Sequence, residues 1–424
     1  MSYVVTIAFG LLFVLGWPVV LAILVPSVIY VLLNDIPIEL IGQRMSYALD
    51  SFPLVAVPIF IFVGNIMNQA GITERIFRFA STLVGRAPGG LGQVNVLSSL
   101  IFSGMSGAAL ADVGGLGRIQ VKAMAARGFS RKFAGAITCA SAVVGPIFPP
   151  SIPLIIYGSV TGVSIIQLLV AGIVPALICV VLLMITVGVM AKLRGYPRAE
   201  RWSTPSEIVA ALLPALPALF TPVLLVSGML LGFFTPTEAA SVTVVYVLFI
   251  STFVYRTLTF AHLRHAAYET IKSTSAILII VSAAAIFGWI LAIEQIPQAF
   301  AQNLLSLSTD PLVLLLIVNV MLLIVGMVLD STTATLLVIP IIAGPLHLAG
   351  VDPVHLGIVA IFNLMLGLLT PPMGLALFLI TDIAKISMRD VLKELVPYYI
   401  PLLATLAILT LFPEVSLWLP KMMR

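Results

Sequence analysis

Four polar clusters interrupt a chain that is otherwise almost wholly apolar, and their residues are of the kind that hold a hard cation or an oxyanion. Two are rich in serine, threonine and aspartate: SGMSGAALAD over 103–112 and GMVLDSTTAT over 326–335. Downstream of each comes a double proline set among glycines and hydroxyls, GPIFPPS over 145–151 and GLLTPPMG over 367–374. Proline donates no amide hydrogen bond and blocks the turn before it, so a helix broken there bares carbonyls and amides. In hydrocarbon such groups need partners, and those on offer are a ligand, an ion or a water-lined cavity. Neutral oxygens suffice for a small hard cation when helix C-terminal dipoles point at it. The first half offers the hydroxyls of Ser103 and Ser106 and the carbonyls of Gly145, Phe148 and Pro149; the second offers Gly326, Asp330, Gly367, Thr370 and Met373. Two copies of one device predict an internal duplication with two equivalent ion sites and a cargo between them.

The elements that position these clusters must be membrane helices. Of 424 residues, 61% are hydrophobic and 9% charged, whereas a soluble globular chain carries about 25% charged residues. Apolar runs of about 20 residues, enough to cross a hydrocarbon core of about 30 Å, recur throughout, so no soluble domain is expected. The first 33 residues lack a basic start and a cleavage site and read as a retained span, not a secretory signal. Cys139 and Cys179 lie in apolar stretches, as small hydrophobes do, and no disulfide and no metal site beyond that cation's is expected. The absence of a GxxxxGK[ST] loop argues against ATP hydrolysis by this chain. No serine is paired with lysine or histidine at membrane depth, and no two aspartates face each other there, so an enzyme is not expected.

Charge sets the threading. Of the 21 Lys and Arg residues, 18 gather in five groups, within 75–86, 118–132, 192–201, 256–272 and 385–393, which the positive-inside rule places in the cytoplasm. Connections 294–311 and 346–356 carry none and face outward. Dispersed in this way, the basic residues form no nucleic-acid face despite a net charge of +4. Residues 2–33 then cross outward, 34–50 lie along the outer surface as an arm, and 52–70 return. Segment 91–126 begins and ends inside, as a re-entrant hairpin. Residues 133–163, broken at Pro149 and Pro150, cross outward and 167–192 return. After a linking helix over 206–231, residues 236–255 cross inward, 257–271 form an inner arm and 273–293 cross outward. Segment 312–346 is a second hairpin, entering from the opposite face with its tip near Asp330. Residues 355–384, broken at Pro371 and Pro372, cross inward, and 395–413 are the last span. The expected fold is an all-α integral membrane protein with inverted-topology repeats over 1–195 and 236–413, its N-terminus cytoplasmic and its C-terminus periplasmic. Lys421 and Arg424 fall on the outer side and are the misfit in this scheme.

Several stretches carry a family likeness. SFPLVAVPIFIFVGNIM, SGMSGAALADVGGLG, GPIFPPSIPLIIYG, FFTPTEAA and NLMLGLLTPPMG, in this order along essentially the whole chain, resemble the large membrane subunit of the tripartite ATP-independent periplasmic (TRAP) transporters. The resemblance implies a bacterial inner-membrane importer of organic acids, sialic acid or dicarboxylates among them, driven as a symporter by sodium. It implies two partners: a small four-helix membrane subunit, expected as a separate polypeptide, and a periplasmic binding protein that delivers the cargo. It also implies an elevator mechanism, in which hairpins and broken helices slide against a fixed scaffold. A stand-alone ion- or proton-coupled anion carrier of related architecture is the alternative.

A cargo carboxylate would meet half-helix N-termini and the hydroxyls of Ser103, Ser151, Thr332 and Thr333, beside Asp330. No arginine lies in either hairpin tip. Each of these residues also has a plainer use. Serine and threonine in membrane helices commonly bond back to their own turn, Asp330 could cap the outgoing arm of its hairpin, and Asp112 and Glu238 could serve helix ends. His262, His265, His347 and His355 lack metal-ligand spacing.

Overall fold

The computed structural model describes residues 4–423, and every regular element in that range is a helix. The first two residues of the span expected from residue 2, and the misfit Arg424, lie outside the described residues. Among the described residues, seven helices are long and apolar enough to cross a membrane.

The span expected over 2–33 is two helices, α1 (Val4–Val14) and α2 (Val19–Leu33). Gly16, at φ +83°, and Pro18, which has no amide hydrogen, turn the chain back between them. Val4 and Val5 share a cleft with Tyr30 and Leu33, and Leu11 and Leu12 share it with Val25 and Pro26, so the pair is an antiparallel hairpin. Eleven residues of α1 rise about 16 Å, too little to cross, and its start lies at the same end of the molecule as Leu33. The arm over 34–50 holds α3 (Glu39–Leu49), and a 3₁₀ turn at Phe52–Val55 leads into α4 (Ala56–Gln69) and then α5 (Ile72–Val84).

The first hairpin comprises α6 (Leu91–Ser106), α7 (Ala109–Gly114) and α8 (Leu116–Ala126). The first broken helix is α9 (Arg131–Ala142) and α10 (Ile152–Thr161), followed by α11 (Ile165–Ala171) and α12 (Ile173–Leu193). The linking helix α13 (Pro205–Leu230) opens with a capping box in which Thr204 and Glu207 each accept from the other's backbone. Next come α14 (Pro236–Phe249), which runs into a π turn at Ile250–Val254, and α15 (Phe260–Ile293). The inner arm expected over 257–271 and the span over 273–293 are thus one continuous helix of 34 residues. No proline and no glycine before Gly288 interrupts it, so nothing stops the helix where its charges end. The connection at 294–311 likewise contains a helix, α16 (Ile296–Leu307). The second hairpin is α17 (Pro311–Gly326) and α18 (Ser331–Leu348), the second broken helix α19 (Pro353–Gly367) and α20 (Leu375–Ala384), and the chain closes with α21 (Met388–Leu411) and α22 (Glu414–Lys421).

The two broken helices run antiparallel. Lys132 Nζ, at the start of α9, lies 2.9 Å from Asp390 Oδ1, in the first turn of α21, which follows α20 after a short connection. Tyr157, near the end of α10, donates to the Pro353 carbonyl at the start of α19 at 2.8 Å. Between these points the Cys139 thiol donates to the Ala376 carbonyl at 3.4 Å. Helix α10 packs on α18 while α20 packs on α7 and α8, so each hairpin holds half of the other repeat's broken helix. This reciprocal, head-to-tail arrangement is the inverted repeat. Around it, α2, α3 and α4 pack against α15, and α5 against α13.

Candidate ion and substrate site

Each hairpin tip is seated on the break of its own repeat by a main-chain hydrogen bond. In the first repeat the Ile152 amide donates to the Gly107 carbonyl at 3.2 Å. Gly107 adopts φ +64°, and a Cβ there would stand 2.5 Å from the Pro150 carbonyl oxygen, so the position requires glycine. In the second repeat the Met373 amide donates to the Met327 carbonyl at 3.2 Å. Pro149–Pro150 and Pro371–Pro372 are both cis.

Asp112 organises the first tip. It is 2% exposed and accepts from the Ser106 hydroxyl and, at 3.2 Å, from that of Ser103. A Cβ on Gly145 would lie 2.6 Å from Asp112 Oδ2, so the carboxylate rests directly on the first break. Ser103, Ser106 and Gly145 are therefore brought together, with Phe148 packed over Gly104 beside them. No lysine or arginine is buried among the described residues. A buried carboxylate that accepts from two hydroxyls and has no basic partner is suited to a small cation. Behind it runs a polar network: Ser103 donates to the Ser99 carbonyl at 2.6 Å, Ser99 meets Ser141, and Ser141 donates to Asn95, which donates to Thr138.

The second tip is closed by backbone. A Cβ on Gly367 would stand 2.2 Å from the Gly326 carbonyl carbon, so the hairpin and broken helix touch main chain to main chain. The Thr370 hydroxyl donates to its own turn at Leu366. Asp330 caps α18: Oδ2 accepts from the amides of Thr332 at 2.9 Å and Thr333 at 3.1 Å, and Oδ1 accepts from the Thr333 hydroxyl. Asn319 and Asn363 tie α17 to α19, Asn363 Nδ2 donating to Asn319 Oδ1 at 2.8 Å, as Ser99 and Ser141 tie α6 to α9.

Between the tips lies a cavity of about 510 Å³. Ser106, Asp330 and Thr332 line it, whereas Ser103, Ser151 and Thr333 stand behind its wall. Ser151 caps α10, accepting from the Leu154 amide at 3.2 Å and donating to the Pro146 carbonyl. First-turn residues of α10 (Ile152, Pro153), α18 (Ser331, Thr332) and α20 (Leu375) reach the cavity, as does the start of the short α7 (Ala109, Leu110), so helix N-termini from both repeats converge on it. Reading the clusters alone misses the third wall. Asn65 of α4 and Glu269 and Ser273 of α15 also line the cavity, and Asn65 donates to Thr270 at 3.0 Å. The signal for Asn65 is a polar residue inside an apolar run; Glu269 and Ser273 sit four apart, on one helix face. No lysine, arginine or histidine lines the cavity, while two carboxylates do.

Comparison with known proteins agrees with this architecture. The crystal structure of the YdaH transporter of Alcanivorax borkumensis superposes with a TM-score of 0.60 over 90% of this chain and 87% of that one, at 14% identity, which speaks to the fold alone. The sialic acid TRAP transporter large permease protein SiaM of Vibrio cholerae is 43% identical over 97% of this chain and 96% of its own length. The C4-dicarboxylate TRAP transporter large permease protein DctM of the same species is 32% identical over 97% of this chain and 95% of its own. The family model described as the DctM component of tripartite ATP-independent periplasmic transporters matches residues 4–415. With hairpins, breaks and cavity in place, the chain belongs to that family, as its large, multi-pass membrane permease subunit.

Proposed function

We propose that this permease imports an organic acid by sodium symport, receiving it from a periplasmic binding protein and working with a small four-helix membrane subunit. The observation that carries the reading is the charge of the cavity: Glu269 and Asp330 line it and no basic side chain does. An anionic cargo is repelled by two carboxylates unless cations enter with it. The Ser103–Ser106–Asp112–Gly145 cluster and the Gly326–Gly367 contact, one at each break, are where the cations are proposed to sit, with the cargo carboxylate toward the N-termini of α10, α18 and α20. The same charge pattern favours a monocarboxylate with hydroxyls, such as a sugar acid, over a dicarboxylate. The relatives are named for both classes, sialic acid and C4-dicarboxylates.

For movement, α6–α12 with α17–α22 form the proposed sliding block, and α1–α5 with α13–α16 the scaffold. Gly64 of α4 supports this division, since a Cβ there would meet Ser106 Cα at 3.4 Å and the scaffold face at the tip is smooth. The basic groups place their loops in the cytoplasm by the positive-inside rule. Uptake is measured in proteoliposomes holding this chain, the small subunit and candidate binding proteins, with and without an inward sodium gradient. Sodium-dependent accumulation supports the proposal; accumulation driven by a proton gradient and indifferent to sodium refutes it.

A further inference from the structure

Helix α8 and the start of α9 meet the end of α20 around an open cleft of about 920 Å³, remote from the residues that line the transport cavity. Four basic side chains line this cleft: Arg118 and Lys122 on one face of α8, Arg131 at the first position of α9, and Lys385 just past α20. Lys385 is brought in by a left-handed turn, φ +54°, that closes its amide onto the Thr381 carbonyl. One carboxylate answers the four, Asp382 Oδ1 at 2.7 Å from Lys385 Nζ. Neighbouring Lys132 is matched by Asp390. Arg118 lies near enough to Asp382 to feel its charge, but neither it nor Lys122 or Arg131 makes an ion pair within 4.0 Å among the described residues. Phe129 and Val121, both buried, supply apolar surface beside the charges.

Like charges gathered in a concavity repel one another unless an anion sits among them. Arginine forks suit the several acceptor oxygens of a phosphate, and basic pockets between membrane helices hold lipid headgroups. We propose that this cleft binds a phosphate group, and that its apolar wall takes the glycerol and first methylenes of the anionic lipid that carries it. Because the cleft joins α8 and α9 of one repeat to α20 of the other, a bound phosphate ties the two repeats together at this end of the block.

The test uses the full chain in phosphatidylcholine nanodiscs, with phosphatidylglycerol added in one arm and inorganic phosphate in another. Retained lipid is read by native mass spectrometry and the melting temperature by intrinsic fluorescence. Wild type is expected to retain phosphatidylglycerol and to melt higher with it. The Arg118→Gln/Lys122→Gln/Arg131→Gln variant should lose that affinity on the order of 100-fold, and Arg264→Gln, on α15, should not. Stabilisation by inorganic phosphate alone, lost in the triple variant, supports the oxyanion site and makes a free anion its source. Equal lipid retention by wild type and triple variant overturns the proposal. Should the triple variant fail to fold, Lys122→Gln alone and the wild-type titration decide: wild type with no preference for phosphatidylglycerol over phosphatidylcholine, and no response to phosphate, also overturns it.

Discussion

Gly326 and Gly367 meet with no side chain between them: a Cβ on Gly367 would fall 2.2 Å from the Gly326 carbonyl carbon and 2.4 Å from its oxygen. The contact joins the tip of the second hairpin to the break of the second broken helix, where a bound cation would need both carbonyls in register.

Gly367→Ala is therefore expected to push the hairpin off the break. Backbone cannot yield as a flexible side chain can, so the overpacking cost is at least about 1–3 kcal/mol. The melting temperature in detergent should fall, and sodium-driven uptake should fall by more than about tenfold, as misplacement at a site costs. Ala at Gly344, where a Cβ meets nothing within 4 Å, is the matched control and should change neither.

Asp330 separates a capping role from an ionic one. Its carboxylate accepts from two amides and a hydroxyl. Asparagine keeps an acceptor for the amides, so Asp330→Asn should stay near wild-type stability, whereas Asp330→Ala should lose about 1 kcal/mol. If the carboxylate also serves a cation, Asp330→Asn raises the sodium concentration needed for half-maximal uptake while melting unchanged. Normal sodium dependence in Asp330→Asn would reduce the residue to a cap.

The breaks were legible in the sequence because proline chemistry is local: Pro149–Pro150 and Pro371–Pro372 cannot continue a membrane helix whatever surrounds them. Gly16 and Pro18 carry the same kind of signal in weaker form, without the hydroxyls that mark the other breaks, and a single span over 2–33 passes over it. The continuity of α15 is hidden for the opposite reason. Its charged beginning looks like an interfacial arm, but helix propensity does not stop at Lys272. In the site, the hydroxyls of Ser103 and Ser106 read correctly as a group, yet that Asp112 gathers them depends on how α7 folds back over α6. Asn65, Glu269 and Ser273 reach the cavity only through packing of α4 and α15 on the hairpins, which no local pattern announces.

Glu269 is expected to act in cargo choice. Glu269 lines the cavity, where its charge would repel a second carboxylate on the cargo while its oxygens accept from hydroxyls. Glu269→Gln removes the repulsion and keeps an acceptor. Competition assays in proteoliposomes should show C4-dicarboxylates inhibiting uptake of the physiological acid several-fold better in Glu269→Gln than in wild type. An unchanged inhibition profile would mean that Glu269 does not face the cargo.

The sliding block can be locked at one point. A Cβ on Gly64 of the scaffold would stand 3.7 Å from Ser106 Cβ at the hairpin tip, close to the separation of about 3.8 Å found across a disulfide. Gly64→Cys with Ser106→Cys should therefore crosslink on oxidation, and buried Cys139 and Cys179 should not compete. The reduced variant loses the Ser106 hydroxyl and should transport more slowly than wild type. Oxidation should abolish what remains, and a reductant should restore it. If tip and scaffold stay in contact throughout the cycle, the crosslinked protein transports as fast as the reduced one, and the elevator reading fails for this chain.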